Sequence, residues 1–120
     1  MSTGFTDVPS ETDFLAAFGI DPDESVPPDG FWCYTFESEG GDVVRLSFNT
    51  HERSVQTVCE SNGRAICTVV HENADQIRIN EGRGEASIIV EFAHGRDECR
   101  TQLRLQVHPE LEISWSSLRT

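Results

Sequence analysis

From residue 31 to the end of the chain, apolar and polar positions alternate in short runs separated by turn residues, the period of half-buried β-strands. Candidate strands are 31–37, 43–49, 53–60, 65–71, 76–80, 86–93, 99–107 and 111–116. The turn signals between them are Gly40-Gly41, Asn49-Thr50, Asn62-Gly63, Gly82-Arg83-Gly84, His94-Gly95 and Pro109. No gap is long enough for a helical crossover, so the pairing is expected to be antiparallel. In the last strands Ile77, Ile79, Cys99, Thr101, Leu103, Leu105, Val107, Leu111, Ile113 and Trp115 should face inward. Arg78, Asn80, Arg100, Gln102, Arg104 and Gln106 should face water, as in a sheet wetted on one side.

Turn chemistry suggests registers for two hairpins. Asn62-Gly63 as a two-residue turn sets Ser61 opposite Arg64, and a regular ladder then sets Cys59 opposite Ile66 and Val58 opposite Cys67. Val55, Thr57, Cys59, Ile66, Thr68 and Val70 would share the core face, and Cys59 and Cys67 would point to opposite faces, too far apart for a disulfide. Gly40-Gly41 as a two-residue turn pairs Ser38 with Val43 and sets Glu39 beside Asp42. Trp32, Tyr34 and Phe36 would then line one face and Phe31, Cys33, Leu46 and Phe48 the other, with both faces covered.

Ahead of the strands, residues 11–18 have the marks of a short helix. Ser10 is an N-cap, Asp13 completes a capping-box variant, Glu11 and Asp13 suit the positive end of the helix dipole, and Gly19 is placed to end it. Phe14, Leu15 and Phe18 form its apolar face. Residues 21–30, with three prolines, four acids and a glycine, are expected to be an extended loop. The fold class is therefore mainly β (α+β): an antiparallel meander of about seven to eight strands, strongly curved or folded as a sandwich or half-barrel, with one short N-terminal helix packed on it. The 120 residues are expected to form a single domain, an acidic helix and loop over 1–30 and a β region over 31–116.

Charge changes the picture by its placement. The net charge is −12, and all nine basic residues are arginine. Residues 1–44 hold ten acids and no cation; residues 45–120 hold eleven acids and nine arginines. The first third thus carries −10 and the remainder −2. Such a field disfavours nucleic acid and anionic membranes and attracts basic partners. Part of it could instead face the chain's own Arg78, Arg100 and Arg104, which fall on one outer stripe. The first residues lack a basic stretch followed by an apolar one, and no apolar run approaches a membrane span, so a cytoplasmic protein is expected.

Candidate chemistry adds little. The spacings of Cys33, Cys59, Cys67 and Cys99 match no zinc or redox motif, and free thiols are the simplest reading in a cytosolic chain. His51 and His94 fall in turns, and His71 is about 13 Å along a strand from Cys67, too far for one metal ion. No phosphate loop, nucleophile elbow or zinc-protease motif occurs, and neither a cofactor nor a metal is called for; no enzyme is expected. Asp21, Asp23 and Glu24 lack the glycine and spacing of a calcium loop. Two surfaces remain as candidates. One is a docking surface for a basic protein, formed by Asp21, Asp23, Glu24, Asp29, Glu37, Glu39 and Asp42. The other is an aromatic platform of Trp32, Tyr34 and Phe36, a stripe that more often belongs to a core.

In size, acidity, β-rich single-domain character and cysteine usage, the chain resembles the small bacterial immunity proteins of polymorphic or contact-dependent toxin systems. The stretches Gly30-Phe-Trp-Cys-Tyr-Thr-Phe-Glu, Ser54-Val-Gln-Thr and Trp115-Ser-Ser-Leu carry the likeness in style, without a diagnostic motif. The resemblance implies tight binding of a cognate basic toxin domain, a nuclease among the options, with carboxylates standing in for substrate phosphates. The competing expectations are a small-molecule or lipid carrier, which needs a cavity between its strands, and an interaction subunit of a larger assembly.

Overall fold

The computed structural model describes residues 8–93 and 99–119, without the side chains of residues 93, 99, 100 and 117–119. The expected turn at His94-Gly95 and the side-chain directions of Cys99 and Arg100 lie outside the described residues. The chain folds as one short helix and two antiparallel sheets. Helix α1 spans Glu11–Phe18, and β1 (Glu24–Val26), β2 (Phe31–Glu37), β3 (Asp42–Asn49), β4 (Ser54–Ser61) and β5 (Arg64–His71) form a five-stranded sheet in chain order. β6 (Ala74–Gly82), β7 (Glu85–Ala93), β8 (Cys99–His108) and β9 (Glu112–Arg119) form a four-stranded sheet, also in chain order. The predicted meander of eight strands is present, with β1 added at its start. It is an open two-sheet arrangement, not a closed barrel.

Helix α1 forms as the local signals dictate. Ser10 Oγ accepts from the Asp13 amide at 3.1 Å and Asp13 Oδ2 accepts from the Ser10 amide at 2.9 Å, a complete capping box. Gly19 ends the helix in the left-handed conformation, φ 71°. Of the predicted apolar face, Phe14 is fully buried and Phe18 partly so, while Leu15 turns out to solvent. The loop expected over 21–30 is more ordered than its prolines suggest. Glu24–Val26 pairs with Phe31–Cys33, and Pro27–Asp29 makes a 3₁₀ turn between them.

Both predicted hairpin registers shift by one residue. The β2–β3 connection is a three-residue loop, Glu39-Gly40-Gly41, with Ser38 N donating to Asp42 O at 2.8 Å and Gly41 at φ 93°. Glu37 therefore pairs with Val43, Tyr34 with Leu46 and Trp32 with Phe48. Trp32, Tyr34, Phe36, Val44, Leu46 and Phe48 share one inward face, and the opposite face carries Phe31, Cys33, Thr35, Val43, Arg45 and Ser47. Phe31 and Cys33 thus keep their predicted face, while Leu46 and Phe48 move to the face of Tyr34. In the β4–β5 hairpin, Asn62 and Gly63 take the predicted positive φ values of 54° and 81°, and Ser61 pairs with Arg64. A β-bulge then intervenes: Glu60 pairs with Ala65 but Cys59 with Cys67, leaving Ile66 as the extra residue. Every later side chain of β5 changes face, because the strand period is two. Val69 and His71 point inward, and Ile66 and Val70 are 69% and 60% exposed instead of buried.

The crossing from the first sheet to the second is pinned by Arg53. Its backbone carbonyl accepts from the Ala74 amide at 2.9 Å, and its guanidinium Nε donates to the Ala74 carbonyl at 2.8 Å. The inward faces of both sheets and Phe14 form one continuous core with Ile77, Ile88, Val90, Phe92, Leu103 and Leu105. Phe14 stacks on Tyr34 at 4.0 Å between ring centroids and lies 6.2 Å from Phe48, while α1 also packs along β6. The helix thereby bridges the two sheets on one side. On another side, His71 meets Phe92 and Trp115 edge-on at 5.0 and 4.3 Å.

Candidate partner-binding surface

All seven candidate docking carboxylates, Asp21, Asp23, Glu24, Asp29, Glu37, Glu39 and Asp42, are exposed. The fold gathers some and separates others. Asp23 N donates to the Cys33 carbonyl at 2.8 Å, and Asp23 Oδ2 accepts from Thr35 Oγ1, which sets its carboxylate on the outer face of β2. Glu24 lies directly across the ladder from Cys33. Asp23 and Glu37 share a surface depression with Thr35 and Arg45, and Glu39 and Asp42 flank the adjoining β2–β3 loop. Asp29 sits at the other end of β2, about 20 Å away along the strand. The acidic surface is therefore a band that follows β1, the outer face of β2 and the β2–β3 loop, with Asp29 at its far end.

Two neutral groups register the field of this band. Burial pushes the Cys33 thiol up, Asp23 and Glu24 add to the shift, and Arg45 opposes it. Tyr34 is pushed up to about 12, first by burial and then by Glu11 and Asp21. Glu11 was not among the docking candidates, yet its Oε2 accepts from the Trp32 indole at 2.9 Å. No local pattern in the sequence pointed to that pairing, which spans 21 positions.

No arginine forms an ion pair with a carboxylate of the band among the described residues. Among the described residues the ion pairs are Arg45–Glu60 at 3.2 Å, Arg53–Asp75 at 3.5 Å and Arg78–Glu91 at 3.0 Å, and none involves the seven candidates. The outer stripe of the second sheet is occupied in a different way. Arg78 and Arg104 flank Ile89 on neighbouring strands, and Ile89 is only 3% exposed although it points away from the main core. Both of its cross-strand neighbours are thus arginines, whose long apolar stems can cover such a side chain. Arg78 is turned to Glu91, and Arg104 Nε is buried with no hydrogen-bond partner among the described residues.

The aromatic stripe is mostly interior. Tyr34 and Phe36 are 1% and 3% exposed and belong to the core; Trp32 alone reaches the surface, beside Glu11, Val8 and Pro9. The three-residue loop explains this, since it sends Leu46 and Phe48 to the same face and closes the stripe under α1. The inward positions that a carrier would leave open are filled by Phe14, Tyr34, Leu46, Phe48, Ile88, Phe92, Leu103 and Leu105. Among the described residues no group of three or more His, Cys, Asp or Glu side chains is arranged to hold a metal ion. None of their helices is long and apolar enough to cross a membrane.

The fold is similar to that of a chain in the contact-dependent growth inhibition toxin–immunity protein complex from Klebsiella pneumoniae 342. The likeness has a TM-score of 0.84 and covers 98% of this chain and 100% of that one. Sequence identity is 19%, so what the two share is the fold. No protein-family model matches the chain, and no curated protein does.

Proposed function

We propose that this protein is an immunity-type inhibitor: a cytoplasmic, non-catalytic acidic domain that neutralises a cognate basic toxin domain by binding it directly. The observation that carries the reading is the full-length fold likeness to a chain of a toxin–immunity protein complex. Charge favours the immunity side of such a pair. The band on β1, β2 and the β2–β3 loop offers carboxylates unpaired with arginine among the described residues, and it fits a cationic surface such as the substrate cleft of a nuclease. Unlike charge speeds encounter and penalises wrong partners more than it adds raw affinity.

The test is expression in a bacterial host with and without the toxin domain encoded beside it. Growth arrest by the toxin domain alone, relieved by this chain, is the expected outcome, together with a salt-sensitive association of the purified pair. Growth arrest caused by this chain alone would assign it to the toxin side. Absence of both rescue and binding would refute the inhibitor reading.

A further inference from the structure

The bulge in the β4–β5 hairpin sets two thiols face to face. Cys59 and Cys67 are direct cross-strand partners, with Ile66 looped out as the extra residue beside them. Directly opposed residues of antiparallel strands have Cα atoms about 4.5–5.5 Å apart, inside the range of about 4.4–6.8 Å that a disulfide bridges. Being opposed, both side chains leave the sheet on the same face. Both are free thiols; Cys59 is half-buried and Cys67 exposed. Cys33 is on the other face of the same sheet, on β2, with β3 between it and Cys59. A regular ladder would have kept Cys59 and Cys67 on opposite faces, so the bulge creates the pair. Cys67 sits on an edge strand, β5, whose run Ala65–His71 contains no acidic or basic side chain other than His71, with Ile66 and Val70 exposed to solvent. An edge of that kind frays and offers itself to other strands unless something holds it.

We propose that Cys59 and Cys67 form a reversible thiol–disulfide site, with a small-molecule disulfide such as oxidised glutathione as its co-substrate, and that its closure locks β5 to β4. The exposed Cys67 thiolate attacks one sulfur of the small disulfide. A mixed disulfide forms on Cys67, and one small thiolate leaves and takes up a proton. Cys59 then gives its proton to solvent, and its thiolate attacks Cys67 Sγ and expels the second small thiolate. Two protein thiols are oxidised to one disulfide, and one small disulfide is reduced to two thiols. Burial and the neighbouring Cys67 both push the Cys59 thiol up, which suits Cys59 to the second, resolving step. Excess small thiol reverses the sequence.

The sequence makes the product easy to read. Trypsin cleaves after Arg53, Arg64 and Arg78, so Cys59 and Cys67 fall in separate peptides, 54–64 and 65–78. The native full-length chain is incubated with oxidised glutathione, its remaining thiols are blocked, and it is digested without reduction. The expected result is the two peptides linked through Cys59 and Cys67, released by dithiothreitol. The C59S variant is expected to retain one glutathione on Cys67. Hydrogen exchange of the β5 amides in the oxidised wild type should slow on the order of tenfold. Glutathione on both cysteines without a link, or links only to Cys33 or Cys99, would overturn the site. A correct link with unchanged β5 exchange would overturn the lock. The wild-type peptide map is independent of whether C59S folds, and neither thiol belongs to the acidic band, so failure here leaves the inhibitor reading untouched.

Discussion

Tyr34 is the only tyrosine of the chain, and its ring lies between Phe14 and the core. Ionising it would place a charge in an apolar setting that Glu11 and Asp21 already make negative. Its folded pKa of about 12 stands above the ordinary value of 10. Between those two values the folded state keeps a proton that the unfolded state releases, so this group's contribution is fully present below pH 10 and is lost as pH rises through 12. Phenolate absorbance should titrate near 12 in the native protein and near 10 in urea; a native midpoint at 10 would disprove the placement. Thr57 is a second residue-scale case. It is 1% exposed, and its hydroxyl has no hydrogen-bond partner among the described residues. Thr57→Val removes a desolvated polar group at nearly constant shape and should raise stability by about 1 kcal/mol in urea denaturation. Nothing in the strand alternation singles out that hydroxyl as unsatisfied, because the alternation records only that position 57 faces inward.

At the scale of elements, helix α1 was legible almost to the residue. Its capping box and C-terminal glycine act within a few positions of each other, and Ser10→Ala should cost about 1 kcal/mol for the same local reason. The strands were legible in extent, but two of their registers were not. Gly40-Gly41 allows a two- or a three-residue loop, and the extra residue is accepted because it brings Leu46 and Phe48 onto the face already holding Tyr34 and Phe36. The bulge at Ile66 has no local signature; Asn62-Gly63 gives the correct turn, and the ladder departs from it only beyond Glu60. The bulge makes a direct prediction. In an unbulged hairpin Ile66 would be core, and truncating it would cost about 2–5 kcal/mol. As an exposed residue, Ile66→Ala should change stability by no more than about 0.5 kcal/mol. Equilibrium unfolding of that one variant distinguishes the two registers.

For the molecule as a whole, charge is laid unevenly over the two sheets. The first third of the chain is acidic; its candidate docking carboxylates follow β1, β2 and the β2–β3 loop of the five-stranded sheet, while helix α1 packs along β6 and sets Asp13 in the same surface depression as Arg78. Reversal of Asp21, Asp23 and Glu24 to arginine should slow association with a basic partner and flatten its dependence on salt, with little change in folding stability. Stopped-flow association at two ionic strengths checks this. Unchanged rates would move the interface toward Glu37, Glu39 and Asp42 at the loop end of the band, or off the band altogether. The docking candidates were found by counting charge along the chain. That they form a band with Asp29 at one end and the β2–β3 loop at the other follows only from β1 returning along β2.

What the sequence by itself determined is whatever depends on near neighbours: the capped helix, the extents of eight strands, their antiparallel succession and the concentration of acid in the first third. Tertiary structure alone decided which residues of β3 and β5 turn inward, where the meander divides into two sheets, and which residues meet across those two ladders. The division needs Arg53 to reach Ala74, and the pairing of Cys59 with Cys67 needs a bulge. Such contacts join residues whose partners are chosen by the burial of a whole face, and a one-residue slip inverts that face without changing the local pattern.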